Sequence, residues 1–529
     1  MFGRGARDKF KSRFDGNFRD GDRDILLSKF ASSAAHLVGR RHVSAETFTW
    51  MAEHFCETLE EMKEFGDLLF LSGVNRLYFH ATPYSPDSAP WPGWCFYASS
   101  QITPRNPLWR DMGHLNAYFA RVQSLLADAR PDNDILLYWP VHDLWSDPDG
   151  FQNRLTVRSG WMPPTEFGRL AKRLRDVGYS FDYVSDPFLS DDIVSRYKAI
   201  VVPKTKFMTK ATLEKLKAFS RRLPVIFEKS LPETVPGLHA AALDTEGVPR
   251  PVSDAVAEQV NTGVRRDEFA ASDTPFDALR LSWRGGRLYF VVNSSTNDAT
   301  LSLPDGTVAM DPMSGACETL SAGADARATR TLPPAHSLFA FLKSGQIRSG
   351  IVPQTQPKAT VAIGPKWTLE FVRDVSGWKL PPKRKAMELS DWTALGGRES
   401  EFSGTARYST VVKLEKVFTE SGNRVILDLG EVCNSARVMV NGTYVGTVFM
   451  HPYRLEIPAT LLKEDDNTLE IEVTNLGANR IRAMDRKGVE WKNFEDINMV
   501  ESNYKPLDAS NWPVQPSGLI GPVKIELLD

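Results

Sequence analysis

The sequence has few cysteines. Its 529 residues include four, Cys56, Cys95, Cys317 and Cys433, which are spread along the chain. Thiols this few and this scattered exclude a disulfide scaffold and a cysteine-based zinc cluster. A surplus of positive charge is also lacking, since 64 Lys and Arg stand against 66 Asp and Glu. That balance argues against a general nucleic-acid-binding protein, which carries a basic surplus or stripe.

Long apolar runs are absent as well. No run approaches the roughly 18–20 apolar residues that a membrane-spanning helix needs, so no membrane span is predicted. Residues 1–24 contain no apolar segment of the kind found in a secretory signal peptide, and they therefore predict no compartment. The hydrophobic fraction of 42% is ordinary for a globular protein. The length predicts roughly three to four domains.

Signature motifs of several enzyme classes are missing too. The patterns GxGxxG, GxxxxGK[ST], HExxH, CxxC and GxSxG do not occur in a credible context, which disfavours nucleotide-binding proteins, zinc peptidases and serine hydrolases. The nine histidines are dispersed without convincing metal-ligand spacing. The groups left for chemistry are carboxylates beside aromatic side chains.

The order of the segments predicts a multidomain chain that is α/β first and all-β afterwards. Helical and strand patterns alternate from about residue 25 to 265, with short apolar strands typical of a parallel sheet. Alternating strands with turn signals follow, including the hairpin signal Asn441-Gly442. We predict four domains, at 1–130, 131–265, 266–350 and 359–529. The spacing in the second favours a flavodoxin-like or amidotransferase-like α/β layer structure, and the third is predicted to be a small β-sandwich.

Glu46 is a candidate catalytic residue because it lies within a short predicted strand, HVSAETFTW. A carboxylate inside an apolar strand costs free energy unless it is paired or functional. At the carboxyl end of a barrel strand it would serve as a catalytic acid or base. The alternatives are a solvent-facing strand residue and a structural ion-pair partner.

An aromatic loop follows the next predicted strand, which ends at His80. Its ring and amide side chains are of the types that stack on sugar rings and bind hydroxyl groups. These candidates are Tyr84, Trp91, Trp94, Asn106 and Trp109. The alternatives are aromatic residues that pack at the base of loops and, for His80, a satisfied buried histidine.

Several ordered segments resemble glycoside hydrolase family 106, the α-L-rhamnosidases. They are KFASSAAHLVGRRHVSAETFTW (29–50), FGDLLFLSGVNRLYFHATPYSP (65–86), PGW followed by RNPLW, and LNAYFARVQSLL before DILLYWP. The resemblance covers about residues 25–140 and implies that residues 1–130 hold part of a (β/α)8 barrel. It also implies inverting hydrolysis of terminal α-L-rhamnosyl linkages in plant or microbial polysaccharides or glycosides. Over residues 359–529, segments such as FSGTARYSTVVKL and HPYRLEI resemble the galactose-binding-like jelly roll of such enzymes. Family 2 glycosidases carry the same type of jelly roll.

The resemblance assigns roles to individual residues. The SAETFT motif matches the family segment that carries one of two catalytic carboxylates, which implies that Glu46 is the general base. His36 and His80 match segments that line the pocket, which implies substrate binding. A calcium ion near the pocket and a periplasmic or secreted location are implied in the same way, although no EF-hand-like loop is present.

Inverting hydrolysis needs a second carboxylate roughly 6.5–9.5 Å from the first. Asp87 and Asp143 are the local candidates, with solvated loop residues as the alternative. About three strand–helix units precede the second domain, whereas a barrel needs eight strands. In the family, the other catalytic carboxylate lies in the part of the barrel upstream of the matching segment. We therefore expect a fragment, a complementary chain that supplies the rest of the barrel, or a non-catalytic carbohydrate-binding or scaffold protein.

Overall fold

The computed structural model describes residues 24–528, apart from 50, 97, 99, 148–160, 239–240, 324–325, 351–356, 421, 493–499 and 501–504. The first 23 residues of the predicted barrel segment lie outside the described residues. The prediction of a multidomain chain with mixed α/β and all-β parts is confirmed by the elements below.

The helices in the described ranges come mostly from the first half of the chain. They are α1 (Ile25–Leu37), α2 (Leu59–Leu71), α3 (Trp109–Asp128), α4 (Val141–Ser146), α5 (Glu166–Asp176), α6 (Asp191–Val194), α7 (Lys210–Phe219), α8 (Ala255–Thr262) and α9 (Ala478–Arg486).

The strands of the first half and of the middle of the chain are β1 (Ser44–Thr47), β2 (Arg76–Phe79), β3 (Arg130–Pro131), β4 (Ile135–Tyr138), β5 (Phe181–Val184), β6 (Ala199–Val202), β7 (Val225–Phe227), β8 (Phe276–Trp283), β9 (Gly286–Asn293), β10 (Ala299–Pro304), β11 (Val308–Met310), β12 (Cys317–Thr319), β13 (Arg327–Leu332), β14 (Ser337–Leu342) and β15 (Arg348–Gly350). Those of the last part are β16 (Ala359–Ala362), β17 (Trp367–Asp374), β18 (Arg384–Met387), β19 (Gly404–Leu414), β20 (Arg424–Asp428), β21 (Glu431–Cys433), β22 (Ser435–Val440), β23 (Thr443–Val448), β24 (Arg454–Ile457), β25 (Asp465–Thr474), β26 (Gly518–Gly521) and β27 (Lys524–Leu528).

β1 and β2 form a parallel pair that has one covered face and one open face. Ala45 and Leu77 pack against the apolar cluster that contains Leu69 of α2. Successive side chains of a strand point to opposite faces, so Glu46 and Tyr78, which are register partners, project from the other face. Both are exposed. The pair therefore presents a carboxylate and a phenol on the side that α2 does not cover.

The first strand is shorter than its sequence pattern predicts. The pattern favours a strand over residues 42–50, but β1 ends at Thr47. Phe48 has a φ of 74°, and a residue in the left-handed region cannot continue a strand. Its ring is buried among the rings of Phe65, Phe79 and Phe119. Burial of the ring therefore accompanies the sharp turn that ends β1.

A four-stranded sheet in the order β5-β4-β6-β7 forms the centre of the next part of the chain. All its pairings are parallel and its strands are buried along their whole length, as the apolar runs predict. Helix α1 packs on it, since Tyr183 donates its backbone N–H to Ser33 Oγ at 3.0 Å and its hydroxyl to the Leu26 carbonyl at 2.8 Å. Ser32 Oγ also donates to the Ser72 carbonyl at 2.5 Å. α1 therefore bridges the parallel sheet and the end of α2.

The remaining described residues are mainly β. A six-stranded sheet, β12-β11-β14-β9-β8-β3, and a three-stranded sheet, β13-β10-β15, share one apolar core. A second pair of sheets, β16-β27-β20-β24 and β18-β17-β19-β25-β22-β23, packs around another. The predicted hairpin is confirmed, because Asn441 and Gly442 have φ angles of 50° and 78° between β22 and β23. Among the described helices, none has the length and apolar character to cross a bilayer.

Buried polar contacts tie α2 and α3 to both β parts. Asp111, in the first turn of α3, accepts hydrogen bonds from Ser435 Oγ at 2.6 Å and Arg437 Nε at 2.7 Å. Lys63 of α2 lies 2.6 Å from Asp67 and also donates to the Ala335 carbonyl. These contacts fix the β1–β2 pair relative to the sheets that follow it.

Candidate active site

Glu46 lies at the carboxyl end of β1 on the open face of the strand pair. Its side chain is exposed, and Thr49 Oγ1 donates a hydrogen bond to Oε1 at 2.5 Å. Thr49 follows the turn at Phe48, so the turn that ends β1 also brings this hydroxyl back to the carboxylate. The arrangement orients a solvent-accessible carboxylate at the end of a strand.

The loop after β2 folds over the ends of both strands. His80 donates its backbone N–H to the Thr47 carbonyl at 2.8 Å, which extends the parallel ladder by one residue. Ser100 Oγ donates to the Phe48 carbonyl at 2.8 Å and its N–H to the His80 carbonyl at 3.4 Å. Period-two alternation from Tyr78 places His80 on the same face as Glu46. The structure thus brings Glu46 and His80 to the same end of the same sheet.

The His80 ring is half-buried and has polar and aromatic neighbours. Nδ1 lies 3.3 Å from the Ala98 carbonyl, and the ring meets the edge of Phe96 at a centroid distance of 5.1 Å. Phe96 is itself 36% exposed. The contact between Nδ1 and the Ala98 carbonyl therefore orients the His80 ring, and the exposed ring of Phe96 lies beside it.

Tyr84 and Trp94 form an exposed aromatic pair in this loop. Their ring centroids are 5.9 Å apart at an interplanar angle of 77°, and the side chains are 74% and 37% exposed. The backbone N–H of Trp94 donates to Ser85 Oγ at 2.8 Å, which holds the two parts of the loop together. These rings have the exposure that stacking on a sugar requires.

The other loop candidates differ in exposure. Trp91 is buried and donates its indole N–H to the Arg105 carbonyl at 2.8 Å. Asn106 is buried and donates from Nδ2 to the Gln101 carbonyl at 3.3 Å. Both side chains hold the loop in shape. Trp109, the first residue of α3, is 38% exposed.

The structure does not bring His36 together with Glu46 and His80. His36 lies in the last turn of α1, with Nδ1 2.9 Å from Asp182 Oδ1 on β5, and its ring is close to Gly73 in the turn before β2. This is the amino-terminal end of the strand pair. Burial opposes ionisation of Asp182, but His36 and Lys29 outweigh it and lower the pKa of that carboxyl. A substrate-binding role for His36 stays a prediction, and the contacts observed are structural.

The two candidates for the second carboxylate have different surroundings. Asp87 is exposed in the loop after β2. Asp143 accepts the backbone N–H groups of Lys206 and Phe207 at 2.8 Å and 2.7 Å, so its carboxylate holds the loop after β6. The hydrogen bonds of Asp143 to the backbone indicate a structural role. Of the two candidates for the second carboxylate, Asp87 is the one exposed to solvent.

Glu57 is a buried acid that sequence reasoning missed. Its side chain is 3% exposed. Burial raises the pKa of Glu57 well above its usual value, and the carboxylates of Glu61 and Glu53 raise it further, while the hydroxyl of Ser100 opposes the rise. Its carboxyl lies next to Ser100, which donates to the carbonyls of Phe48 and His80 just after β1 and β2. The acidic run before α2 was the available signal, but it does not distinguish a buried carboxyl from a solvated one.

Thr49 and Tyr78 are two further residues of this face that the sequence reasoning did not select. Tyr78 stands opposite Glu46 in the strand register and is 64% exposed. Aligning the two predicted strands at their carboxyl ends would have revealed Tyr78. A hydroxyl three residues after Glu46 was the signal for Thr49.

The side chains of the described residues do not form a calcium site. In the parts of the chain that the structure describes, no three His, Cys, Asp or Glu side chains are grouped so that they could hold a metal ion. Calcium sites are built around several carboxylate oxygens. The described residues therefore do not fit a calcium ion.

Comparison with known proteins finds relatives among glycosidases. A solved rhamnosidase from Novosphingobium sp. PP1Y is similar with a TM-score of 0.72 and 22% identity, over 96% of this chain and 50% of that one. At this identity the likeness shows the fold. A curated relative from Formosa agariphila, named provisionally as a beta-glucuronidase, is 32% identical over 203 residues, which are 35% of this chain and 17% of the relative.

The chain thus spans about half the length of the solved rhamnosidase and less of the curated relative. Residues 21–150, which contain β1, β2 and the aromatic loop, match the family model described as alpha-L-rhamnosidase. The proteins that this chain resembles are thus named as glycosidases. The resemblance to glycoside hydrolase family 106 is confirmed over residues 21–150.

Proposed function

We propose that this protein is a glycoside hydrolase of the α-L-rhamnosidase type, with Glu46 as its general base. It hydrolyses terminal α-L-rhamnosyl linkages in plant or microbial polysaccharides or glycosides with inversion. One observation carries the proposal: within the family segment, an exposed carboxylate at the end of β1 is oriented by Thr49 on an open sheet face.

The chemistry assigned to Glu46 is proton removal from water. Its carboxylate takes a proton from the water molecule that attacks the anomeric carbon, on the face opposite the leaving oxygen. A second carboxylic acid must protonate that oxygen, at roughly 6.5–9.5 Å from the base. Asp143 is bound to backbone N–H groups, so we propose that the acid comes from outside the β1–β2 pair, with Asp87 as the local alternative.

We further propose that β1, β2 and their helices belong to a (β/α)8 barrel. Helices cover the outer face of such a barrel, and side chains fill its interior. The face of the β1–β2 pair that packs against α2 corresponds to the outer side of the barrel. The face that carries Glu46 and Tyr78 corresponds to its inner side. Among the described strands, β1 and β2 pair only with each other, and complementary barrel strands, from this polypeptide or from a second chain, would pair with their free edges.

The sheets support a division of the chain that we propose as follows. Residues 1–130 form the partial barrel, 131–265 an amidotransferase-like α/β domain, 266–350 a small β-sandwich and 359–529 a galactose-binding-like jelly roll. A secreted or periplasmic location is proposed from the family alone.

The test is hydrolysis of an aryl α-L-rhamnoside by the full chain and by Glu46→Gln. We expect the variant to lose about 10²–10⁴-fold in kcat, the range for a general base. Glu214→Gln, at an exposed position of α7, is the matched control and should keep the full rate. Proton NMR should show the β-anomer of rhamnose first. Equal rates for wild type and Glu46→Gln, or first release of the α-anomer, would overturn the assignment.

A second candidate function is carbohydrate binding without catalysis. The exposed Tyr84–Trp94 pair favours it, because stacking on a sugar needs no second carboxylate. If the wild-type chain binds L-rhamnose without turnover, and Trp94→Ala removes that binding, this alternative replaces the hydrolase.

A further inference from the structure

A cleft of about 810 Å³ lies at the end of the β8–β9 hairpin, away from the Glu46 face. The hairpin turns at Arg284 and Gly285, with φ angles of 46° and 77°. Its walls come from this turn, from β3, and from residues 342–345 at the end of β14. None of the residues that line it belongs to β1, β2 or the aromatic loop.

The cleft is strongly cationic. Its cationic lining residues are Arg130, Arg265, Arg284, Arg287 and Lys343, and its carboxylates are Asp128 and Asp132. Both carboxylates are engaged, because Asp132 lies 2.8 Å from Arg265 and Asp128 accepts the indole N–H of Trp283 at 2.8 Å.

The other cationic side chains of the cleft are not neutralised by nearby carboxylates. Within the described ranges, Arg130, Arg284, Arg287 and Lys343 have no ion-pair partner. The chain as a whole has a formal net charge of −2, so this positive surface is a local concentration of charge. Such a surface attracts anions.

The strand register spaces these cations in a row. Arg130 of β3 stands opposite Ser282 of β8, and Ser282 stands opposite Arg287 of β9. Neighbouring strands are about 4.8 Å apart, so the two arginines start roughly 10 Å apart with a serine hydroxyl between them. On the other side of Arg287, its register partner is Leu342 of β14, and Lys343 is the next residue in the chain. This spacing is close to that of the charges in a glycan with an anionic group on alternate sugars.

The chemistry of the lining favours an anionic glycan over other polyanions. A guanidinium binds carboxylate or sulfate oxygens in a two-pronged arrangement, and Ser282 and Ser344 offer hydroxyl groups. Bases of single-stranded nucleic acid need free aromatic faces. Among the described residues, Trp283 is the single aromatic one that lines the cleft, and the Arg284 guanidinium lies over its ring at 4.3 Å.

We propose that this cleft binds an anionic oligosaccharide that carries carboxylate or sulfate groups on alternate sugars. Arg130 and Arg287 each hold one anionic group, Ser282 bonds the sugar between them, and Lys343 and Arg284 extend the site. The inference goes beyond the proposed hydrolase, because binding here requires no turnover at Glu46.

Isothermal titration calorimetry of the full chain at low salt tests the site. The ligands are a hyaluronan hexasaccharide, which carries carboxylates, a chondroitin sulfate hexasaccharide, which also carries sulfates, and neutral maltohexaose. We expect either or both anionic hexasaccharides to bind and maltohexaose not to bind. Kd should rise with salt because the contacts are between exposed charges.

Two double variants complete the experiment. Arg130→Gln with Arg287→Gln should weaken binding at least tenfold. Lys204→Gln with Lys210→Gln, at exposed positions elsewhere, should leave Kd unchanged, and circular dichroism confirms that both variants are folded. Binding that survives the arginine substitutions, equal binding of a thymidine hexanucleotide, or no binding of either anionic hexasaccharide would overturn the proposal. None of these readouts depends on rhamnosidase activity, so the two proposals fail separately.

Discussion

Thr49 donates its hydroxyl hydrogen to Oε1 of Glu46 across 2.5 Å, immediately after the left-handed turn at Phe48. The bond holds one carboxylate oxygen in place on an otherwise exposed side chain. Thr49 is therefore a positioning residue for the proposed general base. It orients the carboxylate and does not itself take the proton from water.

Replacing the Thr49 hydroxyl should reduce turnover without weakening substrate binding. In Thr49→Val the carboxylate loses its fixed orientation, and small misplacements of a catalytic group are costly in rate. We expect kcat on an aryl α-L-rhamnoside to fall about tenfold with KM unchanged, which corresponds to about 1.4 kcal/mol. Thr49→Ser keeps the hydroxyl and should restore most of the rate. Identical kinetics for the Val and Ser variants would show that the hydrogen bond is dispensable.

Glu57→Gln should stabilise the protein increasingly as the pH rises. Burial, with Glu61 and Glu53, holds the pKa of Glu57 well above 4.5, so the folded state keeps a proton that the unfolded state releases. The stability that Glu57 contributes is present below pH 4.5 and is lost as the pH rises toward its folded pKa. Glutamine removes this loss.

Urea unfolding from pH 4.5 to 8 measures this effect. The free-energy gap between Glu57→Gln and wild type should grow by about 1.4 kcal/mol per pH unit until the folded pKa is reached. Glu214→Gln should show a gap that does not change with pH. A constant gap for Glu57→Gln would mean that the carboxyl is ionised in the folded protein.

His336→Gln should show the opposite dependence on pH. Burial and the nearby Lys63 lower the pKa of His336 to about 3, so the unfolded state gains a proton below pH 6.5 and the folded state does not. Wild-type stability therefore falls as the pH decreases from 6.5. Between pH 7.5 and 5, the variant should gain about 2 kcal/mol relative to wild type. Chemical unfolding at both pH values gives this difference, and an unchanged difference contradicts a neutral imidazole at this position.

Removing the Asp111 carboxylate should destabilise the contact between α3 and the last β part. Asp111 is fully buried and holds Ser435 and Arg437. Asp111→Ala leaves the buried Ser435 hydroxyl and the partly exposed Arg437 without this partner, so we expect a loss of about 1.5–3 kcal/mol in the free energy of unfolding. Asp192→Ala, at an exposed site on α6, should change it by less than about 0.5 kcal/mol. A small effect at Asp111 would mean that water replaces the carboxylate easily.

Local patterns predicted the elements near the site well. The apolar runs of β4 and β6 identify buried parallel strands, because each residue of such a strand faces a helix layer. β1 was predicted too long because the conformation of Phe48 is coupled to the burial of its ring, which depends on residues far away in sequence.

Side-chain roles within the site were harder to predict. Trp91 and Trp94 lie in the same loop with similar neighbours in sequence, yet Trp91 is buried and bonded to the Arg105 carbonyl, whereas Trp94 is exposed. The contact of His36 with Asp182 on the parallel sheet was likewise not visible in the sequence, and its substrate-binding role stays a prediction. In both cases the outcome is set by packing between distant segments, which periodicity and spacing do not encode.

The buried contacts of α2 and α3 have a further consequence for the strand pair they carry. If Lys63 lost its contacts with Asp67 and the Ala335 carbonyl, its ammonium group would be buried without a partner, which costs free energy. Contacts of α2 therefore help to hold the β1–β2 pair in place. In the proposed barrel, a strand that pairs with the edges left unpaired among the described strands would meet an edge that is already ordered, so the entropy of ordering this half of the interface would not be lost on association.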